Sequence, residues 1–138
     1  MKKYHIGFTQ GTFDMFHIGH LNLLEKAKEY CDYLIVGVNT DNLVMSYKHH
    51  SPISAEYERL RIVKAIRVVD DGVLCRSLDK LDSWNELHFD SVFVGDDWKG
   101  SERWNETEKS LKAVGVDVVY LPYTKGISST QIRQKIGG

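Results

Sequence analysis

The sequence contains few cysteines, few prolines and no long apolar stretch. Its 138 residues include two cysteines and two prolines. Two cysteines cannot build a disulfide framework, and neither Cys31 nor Cys75 has the spacing of a zinc site. No apolar run approaches the roughly 20 residues of a membrane span, and the N-terminus turns polar too early for a signal peptide. We therefore expect a cytoplasmic protein, without a membrane segment, whose two thiols are buried and reduced.

An excess of charge of one sign is also missing. Eighteen Lys and Arg residues face 19 Asp and Glu residues, so the net charge is -1. This balance argues against a protein that coats nucleic acid or an anionic membrane. The hydrophobic fraction of 42% and the charged fraction of 27% are ordinary for a folded chain, and the length predicts a single domain over residues 1–138. A bound anion must therefore be held by a local group of residues.

Short β-branched or aromatic runs alternate along the chain with segments of helical periodicity. The pattern predicts strands over 4–9, 33–38, 73–75, 91–94 and 117–121. It predicts helices that begin near Ile18 and after a capping Ser54, and others over 80–87, 104–114 and 129–136. Alternation of this kind indicates an α/β fold, a Rossmann-like doubly wound parallel sheet of about five strands with helices on both faces. Ligands of such sheets bind at the carboxyl ends of the strands.

The first motif, GTFDMFHIGH over residues 11–20, follows the first predicted strand. His17 and His20 are three residues apart at a helix start, so they share one face. Gly19 lets a ligand approach the backbone there. A helix N-terminus favours phosphate, and two imidazoles can donate hydrogen bonds to its oxygens, more strongly if protonated. A zinc site made of both histidines and Asp14 is the competing interpretation.

The second motif, YTKGISSTQIR over residues 123–133, follows the last predicted strand. Simple N-capping explains one of the hydroxyls of Ser128, Ser129 and Thr130, but not all three. Three hydroxyls, free backbone N–H groups and the nearby Lys125 form a suitable cradle for a di- or triphosphate.

These motifs resemble those of the cytidylyltransferase-like nucleotidyltransferases, most of all the bacterial glycerol-3-phosphate cytidylyltransferases. Further likenesses are Asn39-Thr40-Asp41, the Arg67-to-Asp70 element and Gly95-Asp96-Asp97-Trp98. The resemblance implies catalytic roles for His17, His20 and Thr130, and acceptor-phosphate contacts from Lys48 and Lys80. The nucleotide contacts that it implies come from Thr12, Phe13, Asp14, Gly19, Asp41, Arg67, Asp97, Thr124, Gly126, Ile127, Ser128, Ser129 and Thr130.

The resemblance implies that CTP reacts with a small phosphorylated alcohol, with glycerol 3-phosphate as the best candidate. The products would be CDP-glycerol, for the synthesis of a cell-wall or capsule polymer, and pyrophosphate. Mg²⁺ would be held by the nucleotide phosphates without a protein ligand, and the enzyme would be a homodimer. Tyr123 replaces the arginine of the family motif, and residues 99–108 have no clear counterpart, which leaves the acceptor open. An adenylyltransferase and a non-catalytic nucleotide sensor are the alternatives.

We expect the segment 46–50, which contains Lys48, to be a mobile loop. We also expect Lys48, Arg67, Lys80 and Lys125 to converge with the two histidines at one edge of the sheet. The alternative for Arg67, without a role in binding, is a surface ion pair with Asp70.

Overall fold

The computed structural model describes residues 2–122, in which five strands alternate with helices. The strands are β1 (Tyr4–Gly11), β2 (Cys31–Asn39), β3 (Asp71–Cys75), β4 (Ser91–Gly95) and β5 (Asp117–Leu121). The helices are α1 (Ile18–Lys28), α2 (Asp41–Lys48), α3 (Glu56–Lys64), α4 (Lys80–Leu87) and α5 (Glu102–Lys112), and a 3-10 turn covers Asp96–Trp98. All five predicted strands are confirmed, each within a few residues of its predicted bounds.

The five strands form one parallel sheet in the order β3-β2-β1-β4-β5. The chain builds one half outward from β1 through β2 to β3, and then returns to the other side of β1 with β4 and β5. This reversal creates a crevice outside the carboxyl ends of β1 and β4, where doubly wound sheets bind their ligands. The predicted fold class is therefore confirmed, and the first motif follows the strand at the reversal.

Both faces of the sheet are covered, because two separate apolar clusters lie on it. One cluster contains Leu24 of α1 and Val63 of α3, together with the strand residue Val36. The other contains Trp104 and Leu111 of α5 and also includes partly buried side chains of α4. Strands of a sheet that is covered on both faces have nearly continuous apolar sequences, which explains why β2 and β4 consist mostly of apolar residues.

The two cysteines are free and buried, as predicted, with Cys31 in one apolar cluster and Cys75 in the other. Within residues 2–122, no helix has both the length and the apolar composition to span a membrane.

Three local predictions need correction. Ser54 does not cap α3: the N-cap is Ala55, which has no side-chain hydrogen bond, and the backbone N–H of Ser54 binds another loop. The predicted loop 46–50 is wrong for its first three residues, because Thr40 caps α2 by accepting a hydrogen bond from the backbone of Leu43, and the helix then continues to Lys48; residues 49–50 lie outside the helix. Finally, α5 begins two residues earlier than predicted, since Ser101 caps it.

Candidate functional site

The site is built around His17 and His20, which lie at the crevice between β1 and β4. His17 is the N-cap of α1, and its Nδ1 accepts a hydrogen bond from the backbone N–H of Gly19 at 3.0 Å. The Nδ1 of His20 accepts from the backbone N–H of His17 at 3.2 Å. Because both Nδ1 atoms accept, the proton of each neutral ring lies on Nε2. The sequence therefore builds a capping box out of two histidines and presents two Nε2–H donors.

Both imidazoles are neutral at pH 7. Burial lowers the pKa of His17, and burial, followed by the influence of His17, lowers that of His20 to about 4. The two rings are stacked with centroids 4.0 Å apart, a distance at which two positive charges would repel. The charge of Lys48 lowers the pKa of His20 further, whereas that of Asp14 raises it. The stronger donation that protonated rings would give is therefore not available in the free protein at pH 7, in which the neutral rings present their Nε2–H groups as donors.

The Nε2 atom of His17 is buried and has no hydrogen-bond partner within residues 2–122. Buried donors in native proteins almost always have a partner, which makes an unpaired N–H at a helix start notable. An anionic oxygen would satisfy this donor and would also be favoured by the partial positive charge of the helix N-terminus. The geometry thus fits a phosphate group.

The loop between β1 and α1 has a strained backbone and is held in place by hydrogen bonds to another segment. Phe13 and Met15 have φ values of 53° and 49°, in the left-handed region that side-chain-bearing residues rarely adopt. Between them, the buried carboxylate of Asp14 accepts hydrogen bonds from the backbone N–H groups of Ile53 and Ser54 at 2.8 and 3.0 Å. Asp14 therefore fixes the loop that precedes the histidines; its predicted contact with the nucleotide stays a prediction.

Arg59, which resembles the helix-two arginine of the family but received no predicted role, is a structural member of the site. Its side chain is only 1% exposed, yet its guanidinium donates to the backbone carbonyls of Thr12, Asn39 and Ser54 at 2.6 to 2.9 Å. A fourth hydrogen bond, at 2.7 Å, goes to the carboxylate of Asp41. This arginine ties together the loops that follow β1 and β2 and the segment before α3.

One signal in the sequence could have identified this residue. Arg59 stands four residues before Val63, on the stripe of α3 that faces the core, where an aliphatic side chain is normal. A charged residue at such a position is rarely buried unless it is paired. Its partner Asp41, which we expected at the nucleotide, is held in this structure by Arg59 and by hydrogen bonds with Glu56.

Lys80, a predicted acceptor-phosphate ligand, lies in a cavity of about 140 Å³ at the carboxyl ends of β1 and β4. Its side chain is 6% exposed, and its Nζ donates to the carbonyl of Leu78 and stands 5.4 Å from the ring centroid of Trp104. Among residues 2–122, no carboxylate forms an ion pair with it. Burial and then the charge of Arg103 lower its pKa to about 8, so the ammonium form still predominates at neutral pH.

The structure brings most of the other predicted residues of the described part to the same edge, with one exception. Asp97 lines the cavity of Lys80, and Lys48 is close enough to affect the pKa of His20. Arg67 is exposed and lies in the connection that precedes β3, hence at the opposite, amino-terminal edge. The expectation that Arg67 converges with the other cations is therefore wrong, because a parallel sheet separates the two ends of its strands.

The alternative for Arg67, a surface ion pair with Asp70, is not what the structure shows, because Asp70 pairs with Lys28 instead. The carboxylate of Asp70 accepts from the ammonium of Lys28 and, at 2.7 Å, from the backbone N–H of Leu34. These contacts lower the pKa of Asp70 despite the opposing effect of burial. The predicted nucleotide ligands Thr124, Gly126, Ile127, Ser128, Ser129 and Thr130, like Tyr123 and Lys125, lie outside the described residues.

No group of three or more His, Cys, Asp or Glu side chains within residues 2–122 is arranged to hold a metal ion. His17 and His20 use Nδ1 to cap the helix, and the carboxylate of Asp14 binds backbone N–H groups. The zinc interpretation of the first motif thus finds no support in this part of the chain.

Comparison with known proteins agrees with this geometry. The family model described as cytidylyltransferase-like matches residues 8–135. The glycerol-3-phosphate cytidylyltransferase of Bacillus spizizenii is 39% identical over 127 residues, which are 91% of this chain and 92% of that protein. An FAD synthase of Thermococcus sibiricus is 33% identical and covers 83% of this chain and 78% of its own length.

A solved structure has the same architecture over most of the chain. The lipopolysaccharide core biosynthesis protein of Thermoplasma volcanium superposes with a TM-score of 0.74 and 27% identity, covering 90% of this chain and 99% of that one. Fold, histidine pair and sequence similarity agree: the chain belongs to the cytidylyltransferase-like family and is a nucleotidyltransferase.

Proposed function

We propose that the protein transfers the cytidylyl group of CTP to a small phosphorylated alcohol, with glycerol 3-phosphate as the first candidate. An oxygen of the acceptor phosphate attacks the α-phosphorus, and a new P–O bond forms. The bond between the α-phosphorus and the oxygen bridging to the β-phosphate breaks, and pyrophosphate leaves with the electron pair. A phosphate monoester has a second pKa near ~6 and is already a dianion at neutral pH, so no general base is required.

The unpaired Nε2–H of His17 is the observation that carries this proposal. A transfer without a general base depends on placing two anions together and on stabilising charge at the α-phosphate and the leaving group. Two neutral imidazoles, each fixed by its Nδ1 hydrogen bond, donate through Nε2 to these oxygens without having to reorganise. Their lowered pKa values keep both rings from gaining a second proton at neutral pH, so each Nδ1 stays free to accept its hydrogen bond.

Lys80 supports a phosphorylated acceptor. A buried ammonium group is costly unless an opposite charge accompanies it, and this one lacks a carboxylate partner within residues 2–122. A dianionic phosphate in the adjacent cavity supplies the missing charge. Lys48, at the end of α2, adds a second and exposed cation on the same side.

The remaining parts of the proposal come from the resemblance and from the relatives. Ser128, Ser129 and Thr130 hold the β- and γ-phosphates, and Asp97 accepts from the exocyclic amine of cytosine. Bound through the nucleotide phosphates, Mg²⁺ would offset part of their charge. The enzyme acts in the cytoplasm as a homodimer and serves the synthesis of a cell-wall or capsule polymer.

Adenylyl transfer is the second candidate, because an FAD synthase is among the similar proteins. A screen for pyrophosphate release tests both candidates: each of the four ribonucleoside triphosphates is combined with glycerol 3-phosphate, phosphocholine, phosphoethanolamine and FMN. We expect release with CTP and glycerol 3-phosphate. Release with ATP alone would replace the cytidylyl assignment, and nucleotide binding without release from any pair would identify a sensor.

A further inference from the structure

A chain of polar side chains connects the carboxyl ends of β1, β2 and β3. The Nε2 of Gln10 donates to the Oδ1 of Asn39 at 2.8 Å and to the backbone carbonyl of Ser77 at 2.9 Å. The Nδ2 of Asn39 donates to the hydroxyl of Tyr47 at 3.1 Å, and that hydroxyl lies 3.1 Å from the Oγ1 of Thr12. The network therefore begins beside the catalytic loop and ends on Gln10.

This network fixes the orientation of the Gln10 amide. The carbonyl of Ser77 can only accept, so the part of the amide that faces it must be the NH₂ group. The other N–H is directed to Asn39. The Oε1 atom consequently faces away from both partners, where it is buried and has no hydrogen-bond partner within residues 2–122.

A buried acceptor without a partner is unusual, because it destabilises the folded state unless a ligand or a water satisfies it. Gln10 lines the same cavity of about 140 Å³ as Lys80. This volume is well below the roughly 300–1,000 Å³ of pockets for drug-sized ligands, so a small molecule is the natural occupant. Gln10, whose Oε1 is unsatisfied, and the buried cation of Lys80 therefore line one small cavity, which the carboxylate of Asp97 lines as well.

We propose that Gln10 determines acceptor specificity: its Oε1 accepts a hydrogen bond from a donor on the alcohol part of a phosphorylated acceptor whose phosphate lies at Lys80. This proposal rests on the proposed function and names the substrate feature that the site selects. A polyol phosphate carries the required O–H donor, whereas a simple alkyl phosphate carries none. Gln10 contacts the acceptor away from the reacting atoms and therefore changes selectivity rather than the chemistry.

The same argument ranks the other acceptors. The ammonium group of phosphoethanolamine can donate to Gln10, whereas the quaternary ammonium of phosphocholine has no N–H. We expect phosphoethanolamine to be used in preference to phosphocholine, and glycerol 3-phosphate, which carries hydroxyl donors on its three-carbon chain, to be preferred to both.

The experiment compares glycerol 3-phosphate with n-propyl phosphate, which has the same carbon chain and no hydroxyl, at saturating CTP. A hydrogen bond to a buried acceptor gives the wild-type protein a preference of about 10- to 100-fold in kcat/KM. In Gln10→Met the preference falls to within about threefold, because the oxygen that discriminates the two substrates is gone. The KM for CTP stays the same.

Tyr47→Phe is the matched control, since it disturbs the same network while Gln10 keeps both of its anchors. Any loss of rate in this variant is equal for the two acceptors, so the preference stays at the wild-type value. A preference that falls equally in both variants would mean that the network acts only as a scaffold and would overturn the proposal.

The wild-type measurement keeps the test decisive even if Gln10→Met does not fold. A wild-type preference near one would show that a water, or nothing, satisfies Oε1, and would overturn the role of Gln10 while leaving the transferase intact. Failure of the wild-type protein to use any phosphorylated alcohol would overturn the proposed function and this role with it. Use of ATP in place of CTP with the preference retained would support Gln10 and overturn only the choice of nucleotide.

Discussion

The two ring nitrogens of His17 have different roles. Nδ1 caps α1, and Nε2 is left as a buried donor at the start of that helix. A substitution to alanine removes both, so a loss of activity alone would not separate them. Asparagine separates them, because its Oδ1 occupies a position similar to that of Nδ1 and is itself a strong N-cap acceptor, while nothing replaces Nε2.

We predict that His17→Asn retains the stability of the wild-type protein and loses about 10²- to 10³-fold in kcat, the usual effect of removing one preorganised donor. His17→Ala loses a similar factor in kcat and also about 1 kcal/mol of stability, since the cap is gone. Steady-state kinetics and urea unfolding of both variants test this. An asparagine variant with half of the wild-type kcat would contradict the assignment of Nε2.

The low pKa of His20 predicts a pH dependence of stability. Between its ordinary value of 6.5 and the folded value of about 4, the unfolded chain binds a proton that the folded chain does not. The contribution of His20 to stability is therefore complete above pH 6.5 and is lost as the pH falls through that interval. Urea unfolding at about pH 7 and about pH 5 should show a smaller decrease in His20→Gln than in the wild-type protein. Equal decreases would show that His20 does not contribute to this loss.

The lowered pKa of Lys80 predicts an alkaline limit of acceptor binding. The ammonium is needed to bind phosphate, and its folded pKa is about 8. The KM for the acceptor should therefore rise as the pH increases above about 8, whereas the KM for CTP should not. In Lys80→Met the acceptor KM is high at every pH, and its dependence on this ionisation disappears. Lys48→Ala, which removes the exposed cation, should raise the acceptor KM and retain the alkaline limit.

At the scale of elements, the site is held by contacts between loops rather than by the sheet alone. Asp14 connects the β1–α1 loop to the segment before α3, and Arg59 connects that segment to the ends of β1 and β2. The left-handed residues Phe13 and Met15 can be maintained only if their surroundings fix them. We infer that α3 positions the histidines through these loop contacts.

We predict that Arg59→Met lowers the free energy of unfolding by about 3 kcal/mol, because several buried acceptors lose their donor at once. Arg61→Met, an exposed arginine on the same helix, should change it by less than about 0.5 kcal/mol. Chemical denaturation of both variants provides the comparison. Similar small effects in the two variants would show that Arg59 is not the clamp that its hydrogen bonds indicate.

The predictions made at this scale failed where a local signal competed with a tertiary contact. Ser54 has the right chemistry for a cap, yet Asp14 and Arg59 bind its backbone, and the helix starts after Ala55 instead. The polar composition of 46–50 suggested a loop, but the cap at Thr40 lies upstream of it and starts a helix that includes Lys48. Each error comes from reading a short segment without the residues that bind it.

At the scale of the whole molecule, binding of the nucleotide should be visible as stability. A ligand at about 100 times its Kd stabilises the folded state by about 2.7 kcal/mol. We expect CTP to raise the melting temperature by several degrees and ATP at the same concentration to have a smaller effect. Differential scanning calorimetry with each nucleotide measures this, and an equal shift with ATP would contradict the selection of cytosine.

The near-zero net charge takes on a spatial meaning in the folded chain. Eighteen basic and 19 acidic residues nearly cancel, yet Lys48 lies near His20, Lys80 lines a cavity at the same edge of the sheet, and Arg67 lies at the opposite edge. A few cations placed at one site can bind a polyanion without making the whole surface attractive to nucleic acid. Because the net charge is near zero, we expect the protein to bind only a polyanion that fits the crevice.

The sequence by itself determined the fold class, the five strands and the histidine pair, because strand periodicity and a motif at a strand end are local properties of the chain. It also determined that both thiols are buried, since each stands in an apolar run. Only the tertiary structure decided that the histidines are neutral, that Arg59 is buried, that Arg67 is distant and that Gln10 has an unpaired oxygen. Each of these depends on desolvation or on partners that are 20 or more residues away in the chain, and no local pattern records such contacts.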